Sequence, residues 1–201
     1  MLNQYLSTIP RIIILVMPLI IVFSCDTGKP GPGSECQGTS GGVMLFDGSS
    51  TDAWRGFGQD SLPQGWTVSD SLLYTSGQGG DLGGDIISRE TFEDFELSLE
   101  WRISEGGNSG IFFHVVEGDY PAVYATGPEY QLIDDIGFAY PLEDWQQCGA
   151  NYAMHPADTN SKKLHPAGEW NHSAIRDKDG KVVHWLNGEQ VVEYELWTDD
   201  W

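Results

Sequence analysis

Phe95-Glu96-Leu97-Ser98-Leu99-Glu100-Trp101-Arg102-Ile103 alternates apolar and polar side chains without a break, and the fold is read outward from it. Successive side chains of an extended strand point to opposite faces. Phe95, Leu97, Leu99, Trp101 and Ile103 therefore pack, while Glu96, Ser98, Glu100 and Arg102 form a polar face. After the turn-like residues 104–108, a second run at 109–116 reads as the return strand of a hairpin. Pairing Ile103 with Ser109 sets Ile111, Phe113 and Val115 opposite Trp101, Leu99 and Leu97, and puts His114 on the polar face across from Ser98. Residues 129–134 again separate Tyr130 and Leu132 from Glu129 and Gln131. If this third strand lies next to the first two, Glu100, Arg102, His114, Glu129 and Gln131 share one surface of a curved sheet.

Similar short runs recur at 43–46, 65–68, 72–75, 85–88, 149–152, 169–176, 181–186 and 190–196, and no stretch sustains a 3.6-residue apolar period over helical length. Asp179-Gly180 and Asn187-Gly188 are tight-turn pairs, since Asn and Asp tolerate positive φ and Gly adopts it freely. The last three strands should form a meander. The whole reads as an all-β sandwich or jelly roll, without the internal repeat of a propeller.

The 201 residues suffice for one compact domain, and ten basic against thirty acidic side chains leave a formal charge of −20. Such a charge repels phosphate backbones and anionic headgroups, which excludes nucleic-acid binding. Residues 12–23 (IIILVMPLIIVF), preceded by Arg11, are an uncharged run too short for a permanent bilayer span and read as the core of an export signal in residues 1–24. Val22-Phe23-Ser24-Cys25 resembles a bacterial lipobox, which marks Cys25 for lipidation and predicts a lipid-anchored protein of the bacterial cell envelope, touching the membrane through that anchor only. Residues 25–42, rich in Gly, Pro, Ser and Thr, make a tether, and the domain occupies 43–201. Cys36 and Cys148 are then either a disulfide or two free thiols.

At Leu45-Phe46-Asp47-Gly48, Gly65-Trp66-Thr67-Val68, Asp94-Phe95-Glu96-Leu97, Glu100-Trp101-Arg102, Gly107-Asn108-Ser109-Gly110-Ile111 and Glu129-Tyr130-Gln131-Leu132-Ile133-Asp134, the chain resembles the family of 3-keto-disaccharide hydrolases. Pro166-Ala167-Gly168-Glu169-Trp170-Asn171 and Leu186-Asn187-Gly188 extend the match, so the resemblance runs from about Leu45 to about Gly188. It implies a concanavalin A-like jelly roll, frequent export as a lipoprotein, and action on glycosides already oxidised at C3. Family members continue for a few dozen residues past the last hairpin, through a Gly-Leu-Gln-Asp-His-Gly-like strand and a final Arg-Asn-Ile-containing one. Here the sequence stops at Trp197-Thr198-Asp199-Asp200-Trp201. The resemblance therefore implies a jelly roll truncated at its C-terminus, with an open edge beside residues 43–46.

The Glu-x-Asp-x-x-Glu strand of jelly-roll glucanases, which supplies paired carboxylates, is absent. A C3 ketone removes the need for it, because the ketone acidifies the C2 proton. A base removes that proton, a donor or Lewis acid holds the enolate, the C1 substituent leaves, and water adds. Glu129 is the candidate base or metal ligand, with Gln131 about 6.6 Å along the same strand face. His114 is a candidate proton carrier or, with Glu129, a ligand for a divalent metal ion. Arg102 is the third candidate catalytic group. Glu100, Asn108, Gln131 and Asp134, with Asp135 next to it, are candidates for binding an oxidised sugar. Each has a plainer reading: solvated carboxylates, a Glu100–Arg102 ion pair, an exposed histidine, and turn geometry for Asn108. The competing function is a non-catalytic carbohydrate-binding module on the same fold.

Overall fold

In the computed structural model, described for residues 42–75 and 84–199 and for the backbone of two short segments before them, strands carry the architecture. In chain order they are β1 (Ile14–Val16), β2 (Leu19–Val22), β3 (Val43–Phe46), β4 (Trp54–Gly56), β5 (Trp66–Ser69), β6 (Leu72–Thr75), β7 (Ile86–Ser88), β8 (Phe95–Arg102), β9 (Asn108–Phe112), β10 (Glu129–Ile133), β11 (Asn171–Lys178), β12 (Lys181–Leu186) and β13 (Glu189–Glu195). The helical elements among the described residues are two single 3-10 turns, Val123–Ala125 and Asp144–Gln146. Every pairing is antiparallel. The fold is all-β, as the alternating runs require.

The main sheet runs β13-β12-β11-β8-β1-β6-β5, with β2 pairing both β8 and β3. The meander β11-β12-β13 turns at Asp179-Gly180 (φ 53° and 78°) and Asn187-Gly188 (φ 49° and 84°), the left-handed conformations that these residue pairs accommodate. The leader-like segment contributes β1, between β6 and β8, and β2, between β3 and β8. Cys25 and Cys36 lie outside the described residues. Cys148 is a buried free thiol, and burial pushes its pKa up to about 12.

β8 keeps the predicted alternation: Phe95, Leu99 and Trp101 are buried, and Ile103 just beyond the strand is buried with them. Its partner is not the one expected. β8 pairs with β11 (Leu99 opposite Ser173), whereas β9 leaves the main sheet and pairs with β10 as a separate two-stranded sheet. The 104–108 segment is therefore a crossover between layers. Asp134 fixes it, because its buried carboxylate accepts the Gly106 N–H at 2.9 Å while the Asp134 N–H donates to Gly107 O.

β4 and β7 pair as a further two-stranded sheet, and one continuous core includes Leu45, Phe46, Trp101, Tyr130, Leu132, Ile175, Val182 and Leu186. A buried hydrogen-bond chain crosses it, from Trp101 Nε1 to Ser173 Oγ (2.8 Å), from that hydroxyl to Tyr130 Oη (2.9 Å), and from Tyr130 to Trp185 O (3.1 Å). Each polar group brought into the core with these large rings has a partner, which removes the cost of burying it. Truncating Trp101, which has no exposed surface, to alanine should cost about 3–5 kcal/mol.

Candidate active site

Paired residues of β9 and β10 share a face, and the register (Glu129 opposite Phe112, Gln131 opposite Gly110, Ile133 opposite Asn108) divides the small sheet into two faces, with Ile133 buried at the end of the Glu129 face. Tyr130 and Leu132 point into the core; Glu129, Gln131, Asn108 and Gly110 belong to the other face. Glu129 reaches sideways across its neighbour strand. A Cβ built on Gly110 would lie 2.0 Å from Glu129 Oε1 and 2.7 Å from its Cγ, so the carboxylate occupies the space that any larger residue at 110 would fill. Only glycine gives it that seat.

Half-buried there, Glu129 has its pKa raised to about 7, first by desolvation and then by the charge of Asp85, which lines the same cleft. A carboxyl poised near neutrality holds and releases a proton at working pH, as a general base must. The cleft measures about 820 Å³, and its wall includes Glu129, His114, Asn108, Asp85, Arg89 and the exposed Trp197. Apolar residues of the main sheet, among them Phe95, Leu97 and Leu99, close its floor.

His114 enters this cleft by an unexpected route. β9 ends at Phe112, and His114 adopts φ 53°, a left-handed conformation that redirects it away from the strand's alternation. Its Nε2 lies 2.5 Å from Oδ2 of the buried Asp177, whose other oxygen accepts the Gly180 N–H at 3.1 Å. A carboxylate on Nε2 retains the proton at that nitrogen, so Nδ1 is left as the exchangeable position. The ring is held further by edge contacts with Phe95 and Trp197.

Glu129, His114 and Asn108 thus face one cleft; Glu100 and Arg102 do not. Phe95, Leu97 and Leu99 point into the cleft from β8, and strict alternation sends Glu100 and Arg102 to the outer face of the main sheet. There Arg102 stacks 5.1 Å above the Trp170 ring, and Glu100 lies opposite His172. The shared surface expected of these residues required β8 to pair with β9, and that pairing does not form. Asp134 spends both oxygens on backbone N–H groups, of Gly106 and Ile136. Asp135 pairs with Lys162 and accepts the Cys148 N–H. Both anchor loops. Gln131 is buried beneath a second, smaller cleft that shares Asn108, Phe112 and Glu129 with the first.

Among the described residues no three His, Cys, Asp or Glu side chains converge to hold a metal ion. Asp177 holds His114 at Nε2 and leaves Nδ1 as its one nitrogen for another partner, and no step below is routed through a metal. The sequence reading missed Asp177, Asp85, Gly110 and Trp197. Gly110 carried a signal in hindsight, a glycine inside a strand pattern, which marks a close approach. Asp177 sat beside a turn motif that already explained it.

Residues 41–201 match the family described as the 3-keto-alpha-glucoside-1,2-lyase-like domain. The chain is 38% identical over 178 residues to a protein of Bacteroides thetaiotaomicron named 3-keto-disaccharide hydrolase, covering 80% of this chain and 61% of that one. It therefore spans less than two thirds of that relative's length. A crystal structure from Parabacteroides distasonis, assigned as a glycosyl hydrolase, is 39% identical with a TM-score of 0.72, over 79% of this chain and 74% of the other. A second structure from that organism, with the same assignment, is alike in fold, at 24% identity and a TM-score of 0.57 over 71% and 72% of the two chains.

Proposed function

The chain belongs to the 3-keto-alpha-glucoside-1,2-lyase-like domain family, and on that premise we propose that it cleaves the glycosidic bond of 3-keto-glycosides by elimination and hydration. The observation that carries this reading is Glu129, a half-buried carboxyl with a pKa near 7, facing the same cleft as the Asp177-held His114.

The Glu129 carboxylate takes the C2 proton, and the C–H electron pair becomes the C2–C3 double bond of an enolate with its charge on O3. The Asn108 side chain and the Arg89 guanidinium, both on the cleft wall, are the donors suited to that oxyanion. Collapse of the enolate restores the ketone, forms the C1–C2 double bond and breaks the bond from C1 to the leaving oxygen, which takes a proton from His114. Water then adds its oxygen to C1 and gives one proton back to His114, while Glu129 delivers to C2 the solvent-exchangeable proton it holds; both side chains end as they began, so the sum is hydrolysis. Trp197 offers an apolar ring face to the sugar at the His114 end.

Export completes the proposal. The apolar run at 12–23 and the lipobox-like residues before Cys25 support a lipid-anchored envelope protein, in which cleavage before Cys25 removes β1 and β2. The test of activity is incubation with a 3-keto-disaccharide and its unoxidised parent. Release of 3-keto-glucose from the first and no cleavage of the second supports the reading; binding of both without turnover supports a carbohydrate-binding module instead.

A further inference from the structure

The smaller cleft, about 630 Å³, lies on the far side of Glu129 between β10 and the 151–154 loop. Two buried amides form part of its wall, Gln131 at 2% exposure and Asn151 at 1%. Gln131 Oε1 and Asn151 Oδ1 are both buried and both lack a hydrogen-bond partner. An acceptor without a protein partner in the interior is costly unless a ligand or an ordered water supplies the bond, and here two of them share one small cleft.

Neither amide is loosely placed. The free edge of β10 is stitched to the following loop by Gln131 N–H to Ala150 O (3.0 Å), Gly149 N–H to Gln131 O (2.9 Å) and Tyr152 N–H to Glu129 O (2.9 Å). Asn151 exchanges backbone hydrogen bonds with His155, and its Nδ2 lies 2.9 Å from His155 Nδ1, which leaves Oδ1 as the end of the amide without a partner. The cleft rim carries Tyr124, 69% exposed, and Tyr152, itself braced edge-on by Trp145 at 5.4 Å. Fixed acceptors below and aromatic faces above suit a ligand with hydroxyl donors on one side and C–H surface on the other, that is, a sugar ring.

We propose that this cleft is a second saccharide subsite, in which Gln131 Oε1 and Asn151 Oδ1 accept hydroxyl hydrogen bonds from the ring that departs when the bond to C1 breaks. Glu129 and Asn108 line both clefts, so the scissile bond sits at their junction, with the oxidised ring in the larger cleft and the leaving ring in the smaller. The assignment to the leaving ring rests on the function proposed above; the subsite itself does not, because it is read by binding without turnover. It narrows the substrate to glycosides whose leaving group is itself a polyol.

The test titrates the full chain with unoxidised D-glucose, following the side-chain amide resonances of Gln131 and Asn151 by NMR, and repeats the titration on Gln131→Met with urea denaturation of both proteins. Methionine keeps the bulk and removes the acceptor. The expected result is that both amides shift on saturation, that Gln131→Met binds glucose at least about tenfold more weakly, and that its urea midpoint is unchanged or higher. Absence of amide shifts in the wild-type protein overturns the proposal, as does glucose binding by Gln131→Met at wild-type strength. A lowered urea midpoint with unchanged binding would assign the amides to an ordered structural water and overturns it equally. Loss of catalysis in Glu129 variants leaves all of these readings untouched, so the two ideas fail separately.

Discussion

Replacing Glu129 by glutamine should slow turnover by orders of magnitude and make the protein more stable at alkaline pH. A rise in pKa from the ordinary 4.5 to about 7 means that the folded state holds the Glu129 proton more tightly than the unfolded chain does. At 1.36 kcal/mol per pKa unit, ionising this carboxyl in the fold costs about 3 kcal/mol. The sign follows from proton binding. Below about pH 4.5 the carboxyl is neutral in both states and the penalty is absent; between 4.5 and 7 the native state binds more protons, so stability falls as pH rises; above 7 the whole penalty is present. The amide of Glu129→Gln never ionises. Urea denaturation of both proteins from pH 4 to pH 8 should therefore show nearly equal stability at the acid end and an advantage of about 3 kcal/mol for the variant at pH 8, since titrating groups that do not interact with Glu129 cancel in the difference. Activity runs the other way: the wild-type rate should rise with pH through about 7 as the base ionises, and the variant should lose about 10²- to 10⁴-fold. A wild-type–variant stability difference that does not change with pH would refute the claim that burial poises this carboxyl.

Gly110→Ala puts a methyl where Glu129 Oε1 and Cγ now lie, and Gly110 is not in the left-handed region, so contact alone is tested. About a hundredfold loss of kcat with an unchanged circular dichroism spectrum is expected. Asp177→Asn keeps an acceptor for Gly180 N–H and sets an amide N–H against His114 Nε2, which forces the opposite tautomer; steady-state kinetics should show kcat lower by about tenfold or more. Removal of residues 1–24 takes away the strands that pair β3, β6 and β8, and gel filtration should show concentration-dependent association through those edges. Cys148, buried with a thiol pKa near 12, should resist alkylation by iodoacetamide at pH 8 until urea unfolds the domain.

The parts of the fold that were legible are those in which local pattern and tertiary contact agree. The alternation of 95–103 named its own buried face, and Asp-Gly and Asn-Gly marked the turns of the β11–β13 meander, because the conformations required are local properties of those residues. The partner of β9 was not legible. Residues 104–108 announce a turn but not the layer in which the next strand lands, and what fixes the crossover is Asp134, distant in sequence, clamping Gly106 and Gly107. The misplaced register carried Glu100 and Arg102 into the expected site. Glu129 was legible as a carboxylate on a strand face, whereas its poise depends on Gly110 and Asp85, supplied by other segments. His114 reaches the cleft through a positive φ that no pattern of apolar residues encodes.

The direct test of C2 proton abstraction is the rate and isotopic fate of a 3-keto-disaccharide deuterated at C2. Removal of that atom by Glu129 predicts a primary isotope effect on kcat/KM of about 2 or more, with solvent hydrogen replacing deuterium at C2 of the released 3-keto-glucose. Full retention of the C2 label, with equal rates for the two isotopologues, would show that the bond to C1 breaks without touching C2 and would contradict the assignment of Glu129 as the base.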